Sequence, residues 1–242
     1  RQFSVIGSNN YNIVFLSERL VDLNLYRRGG ELVFPLYLYP EKTEKRKSSH
    51  IQMMIFEPEV EYKVPKPNIK PELIEELEDL FNKKVTPEDI FYYIYGVLYS
   101  NKYREKYSEF LKMDFPRIPF TTKYNLFIQL SELGKQLSEY HLLSENVLKK
   151  IVLKFPVKGS NNVEKISFEK GKIWINKEQY FAGTSEEVWN YYIGGYKVCD
   201  KWLSSRKGRT LDYEELLTFQ KITVSLSKTI ELQKEIDKHY EQ

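Results

Sequence analysis

Aromatic rings recur along this whole chain, in helix-like spacing and in strand-like runs alike, and a sequence so loaded has to fold around them. Of 242 residues, 19 are Tyr and 14 are Phe, and aromatic residues make up 15% of the total. Disordered segments lack such apolar mass. Tyr dominates, and its ring with a hydroxyl suits half-buried positions, where one end packs and the other meets a polar partner. The length is enough for one large domain or two small ones with a real core.

The placement of these rings divides the chain. Residues 1–66 read as mostly β, with Arg1-Gln-Phe-Ser-Val-Ile6, Asn12-Ile-Val-Phe-Leu16 and Glu31-Leu-Val-Phe-Pro-Leu-Tyr-Leu-Tyr39 rich in β-branched and aromatic residues. Asn9-Asn10 and Gly29-Gly30 supply turns, and Pro35 implies an edge strand or a bulge. Residues 41–49 read as a charged loop.

Residues 67–143 read as a helical insert. Thr86-Pro87-Glu88-Asp89 has the form of a helix start: a capping hydroxyl, a proline suited to the first turn, and acids at the positive end of the dipole. Ile90, Phe91, Ile94, Tyr95, Val97 and Leu98 then form a broad apolar face. Asp114-Phe-Pro-Arg-Ile-Pro119 is pinned in extended form by its prolines. Phe127, Leu130, Leu133, Leu137 and Tyr140 mark a further amphipathic helix.

Residues 144–181 return to β. Ile151–Phe155, Val163–Phe168 and Lys172–Ile175 read as short strands, with Lys170-Gly171 as a tight hairpin turn. Residues 182–242 read as C-terminal helices, with capping boxes at Thr184-Ser-Glu-Glu187 and Asp212-Tyr-Glu-Glu215. Gly194-Gly195 reads as an interruption of the first of these helices, and Trp189, Tyr196 and Trp202 as sharing one helical face. The fold class is α+β: short, mostly antiparallel strands in the N-terminal and middle parts, a helical insert and a helical tail.

The net charge of +3, from 37 basic and 34 acidic side chains, is too small to mark a nucleic-acid binder by itself. With one cysteine, Cys199, neither an internal disulfide nor a cysteine zinc site can form. His50, His141 and His239 show no metal-ligand spacing. A reducing, cytoplasmic setting is the expectation. No apolar run approaches the ~18–20 residues of a membrane span, and no signal peptide is evident. The sequence starts at Arg1, inside strand-forming residues, and reads as a piece of a longer protein.

Catalytic signatures are missing from the sequence. It contains neither a Gly-rich phosphate loop, nor a Gly-x-Gly-x-x-Gly turn, nor the Asn-Pro-Pro-Tyr tetrapeptide with which amino-methyltransferases grip an adenine. Cys199 reads as a core residue rather than a nucleophile. Positive charge instead gathers in loops: Arg27-Arg28, Lys45-Arg46-Lys47, Arg117, Lys158 with Asn161-Asn162, and Arg206-Lys207 with Arg209. Lys and Arg in such loops can hold phosphates, and Arg and Asn can read base edges. The expectation is that these twelve positions share one concave face. Each cluster can equally be a solvated loop, and the residues alone stop at an α+β module with basic loops.

A family resemblance goes further. Phe34-Pro-Leu-Tyr-Leu-Tyr39, Pro87-Glu-Asp-Ile-Phe-Tyr-Tyr-Ile-Tyr95, Tyr103-Arg-Glu-Lys-Tyr107 and Phe110-Leu-Lys-Met-Asp-Phe-Pro-Arg-Ile-Pro119 occur in order. Tyr180-Phe-Ala-Gly183, Val188-Trp189, Ile193-Gly-Gly-Tyr196, Lys201-Trp-Leu203 and Arg206-Lys-Gly-Arg209 follow. This succession closely resembles the C-terminal specificity domain of single-chain type ISP and type IIG restriction–modification enzymes, over about residues 11–238. The resemblance implies a target-recognition module for double-stranded DNA, working with an adenine-specific methyltransferase and a nuclease of the same polypeptide. It implies no cofactor in this chain, with S-adenosylmethionine and Mg belonging to the longer protein, and no membrane partner. The rival readings are a protein-interaction module, docking through the helix from Asp212 and the Tyr-rich surface, and, ranked last, a free-standing enzyme.

Overall fold

Two glycines determine how closely the helices approach. The computed structural model describes residues 13–22, 32–39, 64–149 and 151–240. It divides into two units, Val21–Glu88 and a larger one comprising Arg1–Leu20 and Asp89–Gln242. In the larger unit, helix α2 (Pro87–Tyr99) lies against helix α5 (Tyr124–His141) where Gly96 meets Gly134. A Cβ on Gly134 would sit 1.9 Å from the Tyr92 carbonyl oxygen, so the two backbones touch with no room for a side chain. Ser131 adds a hydroxyl bond to the Asp89 carbonyl, 2.9 Å away.

In the smaller unit, strands β1 (Tyr37–Leu38) and β2 (Lys66–Pro67) pair antiparallel. Pro35 lies just before β1, as an edge position requires, and its carbonyl accepts from the Asn68 side-chain amide at 3.0 Å. Helix α1 (Pro71–Phe81) has its proline in the first turn and ends at Asn82 in the left-handed region, φ 50°. Leu77, Phe81 and Val85 are buried.

The remaining elements belong to the larger unit. Short helices α3 (Asn101–Lys106), α4 (Ser108–Met113) and α6 (Glu145–Leu148) flank α5. Strands β3 (Ser167–Glu169), β4 (Lys172–Trp174) and β5 (Tyr180–Ala182) form an antiparallel sheet, followed by helix α7 (Glu186–Trp189). Hairpin β6–β7 (Tyr192–Ile193 and Tyr196–Lys197), helix α8 (Val198–Ser204) and the long helix α9 (Tyr213–Tyr240) complete the unit. The architecture is α+β, as expected.

Helix α9 is the spine, packing mainly on α5 and also on α3, α7 and α8. It begins with the capping box read from the sequence: Asp212 Oδ1 accepts from the Glu215 N–H at 2.8 Å, and the Asp212 N–H donates to Glu215 Oε2 at 3.4 Å. Ile173 and Phe181 from the sheet, Ile175 just after β4, Val188, Cys199 and Leu203 from α7 and α8, and Leu216, Phe219 and Leu226 from α9 form one apolar cluster with Val163 and Leu211. The alternation along β4, with Ile173 inward and Lys172 and Trp174 outward, selects the buried face.

The tyrosines behave as half-polar core residues. Tyr93 and Tyr103 are buried, and their hydroxyls donate to the Pro119 and Arg117 carbonyls at 2.8 and 3.0 Å. These two bonds fasten the proline-pinned segment. Nearby, His141 Nε2 lies 2.8 Å from Thr229 Oγ1, and its Nδ1 lies 2.6 Å from the Tyr95 hydroxyl. The Thr229 hydroxyl gives its one proton to the Ser225 carbonyl, 2.8 Å away, so Nε2 is the donor there and Nδ1 accepts from Tyr95. Burial, with the Arg104 guanidinium secondary, lowers the His141 pKa to about 4.

Several expectations need correcting. Gly194-Gly195 is the turn of hairpin β6–β7 rather than a break in a helix, with Gly194 at φ 58°. Tyr196 is therefore on a strand, and does not share a helical face with Trp189 and Trp202. The cap of α7 is Ser185 and not Thr184, one residue along, with the Val188 N–H donating to the Ser185 hydroxyl at 3.3 Å. Residues 13–16 and 151–155 form no strand, and in the run 163–168 only Ser167 and Phe168 do. The Lys170-Gly171 hairpin stands, both residues having the positive φ (49° and 76°) that a tight antiparallel turn demands.

Candidate nucleic-acid interface

Two of the basic loops noted in the sequence are stapled together by backbone bonds. The loop before β3 carries Lys158, Asn161 and Asn162; the loop between α8 and α9 carries Arg206, Lys207 and Arg209. The Gly208 N–H donates to the Val163 carbonyl at 2.8 Å, the Val163 N–H to the Arg209 carbonyl at 3.0 Å, and the Leu211 N–H to the Asn161 carbonyl at 2.9 Å. An antiparallel bridge joins Asn162 to Thr210. Residues 45 to 50 positions apart in sequence thus form one strip, sealed beneath by Val163 and Leu211, both buried.

Gln179, which is 1% exposed, fixes the first loop from below. Its Nε2 donates to the Val157 carbonyl at 3.0 Å and to Asn161 Oδ1 at 2.8 Å. Its Oε1 accepts from the Asn161 backbone N–H at 2.7 Å and from Asn176 Nδ2 at 3.0 Å. Asn161, at φ 54°, occupies the left-handed region that Asn tolerates. Its side-chain amide donates to the Leu211 carbonyl at 3.4 Å. The Asn161 side chain is therefore engaged within the protein, and serves the loop's shape. The outward-facing cations of this strip are Lys158, Lys207 and Arg209, all exposed.

The second loop is built on stacked rings and a shared acid. Arg206 lies over the Trp202 ring at 3.6 Å, and Trp202 packs on Phe219 of the core with ring centroids 5.1 Å apart. Glu215 Oε1 accepts from Arg206 Nε at 3.2 Å and from Arg209 Nη2 at 3.1 Å. Arg206 is thus largely committed to holding the loop, and Arg209 keeps a 60% exposed side chain.

Arg117 stands on the separate segment between α4 and α5, its side chain 92% exposed and 3.6 Å from Asp114. Arg27, Arg28, Lys45, Arg46 and Lys47 lie outside the described residues. Of the twelve positions, Lys158, Asn161, Asn162, Arg206, Lys207 and Arg209 lie on one joined pair of loops, and Arg117 lies apart from them in sequence. Gln179 and Asn176 carry no site signal in the sequence, and Glu215 is marked there only by the capping box. Among the described residues no three His, Cys, Asp or Glu side chains converge as metal ligands. Cys199 is buried, and its thiol is pushed up to about 12 by that burial. No helix among the described residues is long and apolar enough to cross a membrane.

The family model of the type ISP C-terminal specificity domain matches residues 2–235. The chain belongs to this family. The specificity domain is similar in fold to the ATP-dependent type ISP restriction–modification enzyme LlaBIII bound to DNA, with a TM-score of 0.61 and 23% identity over 89% of this chain and 14% of that one. It is also similar to the DrdV–DNA complex solved by cryo-electron microscopy, with a TM-score of 0.55 and 20% identity over 71% of this chain and 20% of that one. The specificity domain thus spans between a seventh and a fifth of these solved chains. No curated protein matches it.

Proposed function

We propose that this specificity domain recognises a short sequence in duplex DNA, and that the strip formed by residues 157–162 and 206–210 faces the DNA. The observation that carries this reading is the backbone-stapled loop pair, which presents Lys158, Lys207 and Arg209 outward from one rigid edge. The two solved relatives, each a DNA complex, support it. In such an arrangement ammonium groups on flexible stems hold phosphates and set the register, while a guanidinium fork can discriminate base edges. Arg117 and, outside the described residues, Arg27, Arg28, Lys45, Arg46 and Lys47 are proposed as further DNA contacts.

The reading includes a longer polypeptide, in which an adenine-specific methyltransferase and a nuclease act where this domain docks. S-adenosylmethionine and Mg would be held by those parts. The test is binding of a labelled duplex across a salt series. Each lost phosphate contact lowers the salt slope by about 0.9, so replacing Lys158 and Lys207 together by Ala should reduce it by about 1.8. Between 50 and 200 mM salt the affinity of the variant should then fall about 12-fold less than that of the wild type. An unchanged slope would remove the strip from the interface.

A second reading, docking onto another protein surface, is favoured by Phe110, Met113 and Phe115, which are 68%, 70% and 48% exposed on and just after α4. Helix α9, the docking element expected from the sequence, is instead packed within the larger unit. Loss of a stable protein partner on replacing Phe110 and Met113 by Ser, with DNA affinity intact, would establish this second surface.

A further inference from the structure

Glu215 does more than stabilise a surface. Exposed ion pairs contribute little to stability, typically 0 to ~1 kcal/mol, and this acid already has two partners in Arg206 and the Asp212 N–H. Arg206 and Glu215 side chains are only 24% and 20% exposed, so their pair is the fixed part of the loop. Arg209 is added to the same carboxylate oxygen from the outside, at 3.1 Å and 60% exposure. Two guanidinium groups share one negative charge, which leaves a net positive charge and the remaining Arg209 N–H groups directed away from Glu215.

The supports behind this oxygen are stiff. The capping box fixes the Glu215 backbone to Asp212. Arg206 is clamped between the Trp202 ring and the Trp202 carbonyl, to which its Nη1 donates at 3.1 Å. The Arg209 carbonyl is held by the Val163 N–H. A phosphate contact requires none of this, since a mobile Lys serves as a point charge, and Lys158 and Lys207 are available for that purpose. A planar fork held in one orientation is what bidentate recognition of the guanine O6 and N7 acceptors requires.

We propose that Glu215 is a positioning residue that holds Arg209 in the orientation needed to read a guanine edge, making Arg209 a specificity-determining residue. This inference rests on the DNA-reading proposal above. The experiment is selection of bound duplexes from a randomised pool by the full chain, followed by sequencing of the bound fraction. Wild type is compared with Arg209→Ala, Arg209→Lys, Glu215→Gln and Lys207→Ala.

The wild type should enrich a motif containing guanine at one position that Arg209→Ala and Arg209→Lys lose, by roughly ten- to a hundredfold, while the other positions persist. Glu215→Gln should weaken preference at that same position and raise affinity for unrelated sequences, because a negative charge has gone. Lys207→Ala should weaken all sequences alike. A motif unchanged in both Arg209 variants, or one unchanged in folded Glu215→Gln, overturns the inference and leaves the DNA-reading proposal standing. No motif in the wild type overturns that proposal itself, and the inference with it. If Glu215→Gln fails to fold, Arg209→Lys decides, since it keeps the charge and removes only the fork.

Discussion

Mild acid should destabilise this protein through His141. The imidazole is enclosed by Tyr95, Tyr99 and Thr229, with the Arg104 guanidinium as the neighbouring charge, and its pKa is lowered from 6.5 to about 4. The unfolded chain then takes up a proton that the folded one refuses. The histidine's contribution is complete above about pH 6.5 and is lost as the pH falls towards 4. One pKa unit corresponds to about 1.4 kcal/mol, so going from pH 7 to pH 5 should lower stability by about 2 kcal/mol. The carboxyls of Glu78 and Glu235, held below their usual range by Lys84 and Lys238, have shifts that matter only under about pH 4.5 and leave this window clear. Urea unfolding followed by Trp fluorescence at the two pH values, on wild type and His141→Gln, measures the effect. The glutamine variant should be less stable at pH 7 but lose much less on acidification. Equal losses in the two proteins would show that the histidine is not held neutral by its surroundings.

Other perturbations give distinct outcomes. Gly134→Ala places a methyl group against the Tyr92 carbonyl and should lower stability by about 3 kcal/mol or more in the same urea assay, whereas Gly208→Ala meets nothing within 4 Å and costs only its positive φ, about 1 kcal/mol. Gln179→Leu strands the buried groups around Asn161 and should cost about 2 kcal/mol, with faster amide exchange at Asn161 as the local sign. Asp212→Ala removes the cap of α9 and should cost about 1 kcal/mol. Cys199 should resist a thiol reagent in the folded protein and react within the mixing time in urea, because its thiol is both buried and pushed up to about 12.

Much of this fold can be read along the chain because it is carried by local signals. Pro87, the Asp212 box and the Lys170-Gly171 turn each act over a few residues, and each appears where expected. What could not be read depends on partners distant in sequence. Gly194-Gly195 turns a hairpin because Tyr192 pairs with Lys197, a choice that helical periodicity on either side obscures. The run at 151–155 keeps strand-like alternation, yet what joins it to β5 is one backbone bond, from the Ala182 N–H to the Lys154 carbonyl at 2.8 Å, and the Phe155 ring against Phe181, rather than a ladder. In the same way, Lys158 and Lys207 are legible as basic loop residues, but the joining of their two loops is not. It arises from Val163, Arg209 and the buried amide of Gln179, none of which announces the others.

The strip is joined through main-chain atoms and a hidden glutamine, so the identities of its outward side chains are nearly independent of what holds it up. A replacement at 158, 207 or 209 changes the chemistry presented without disturbing Val163, Leu211 or the rings of Trp202 and Phe219. A scaffold of this kind lets descendants acquire a new address by point changes at its rim, with the framework inherited intact.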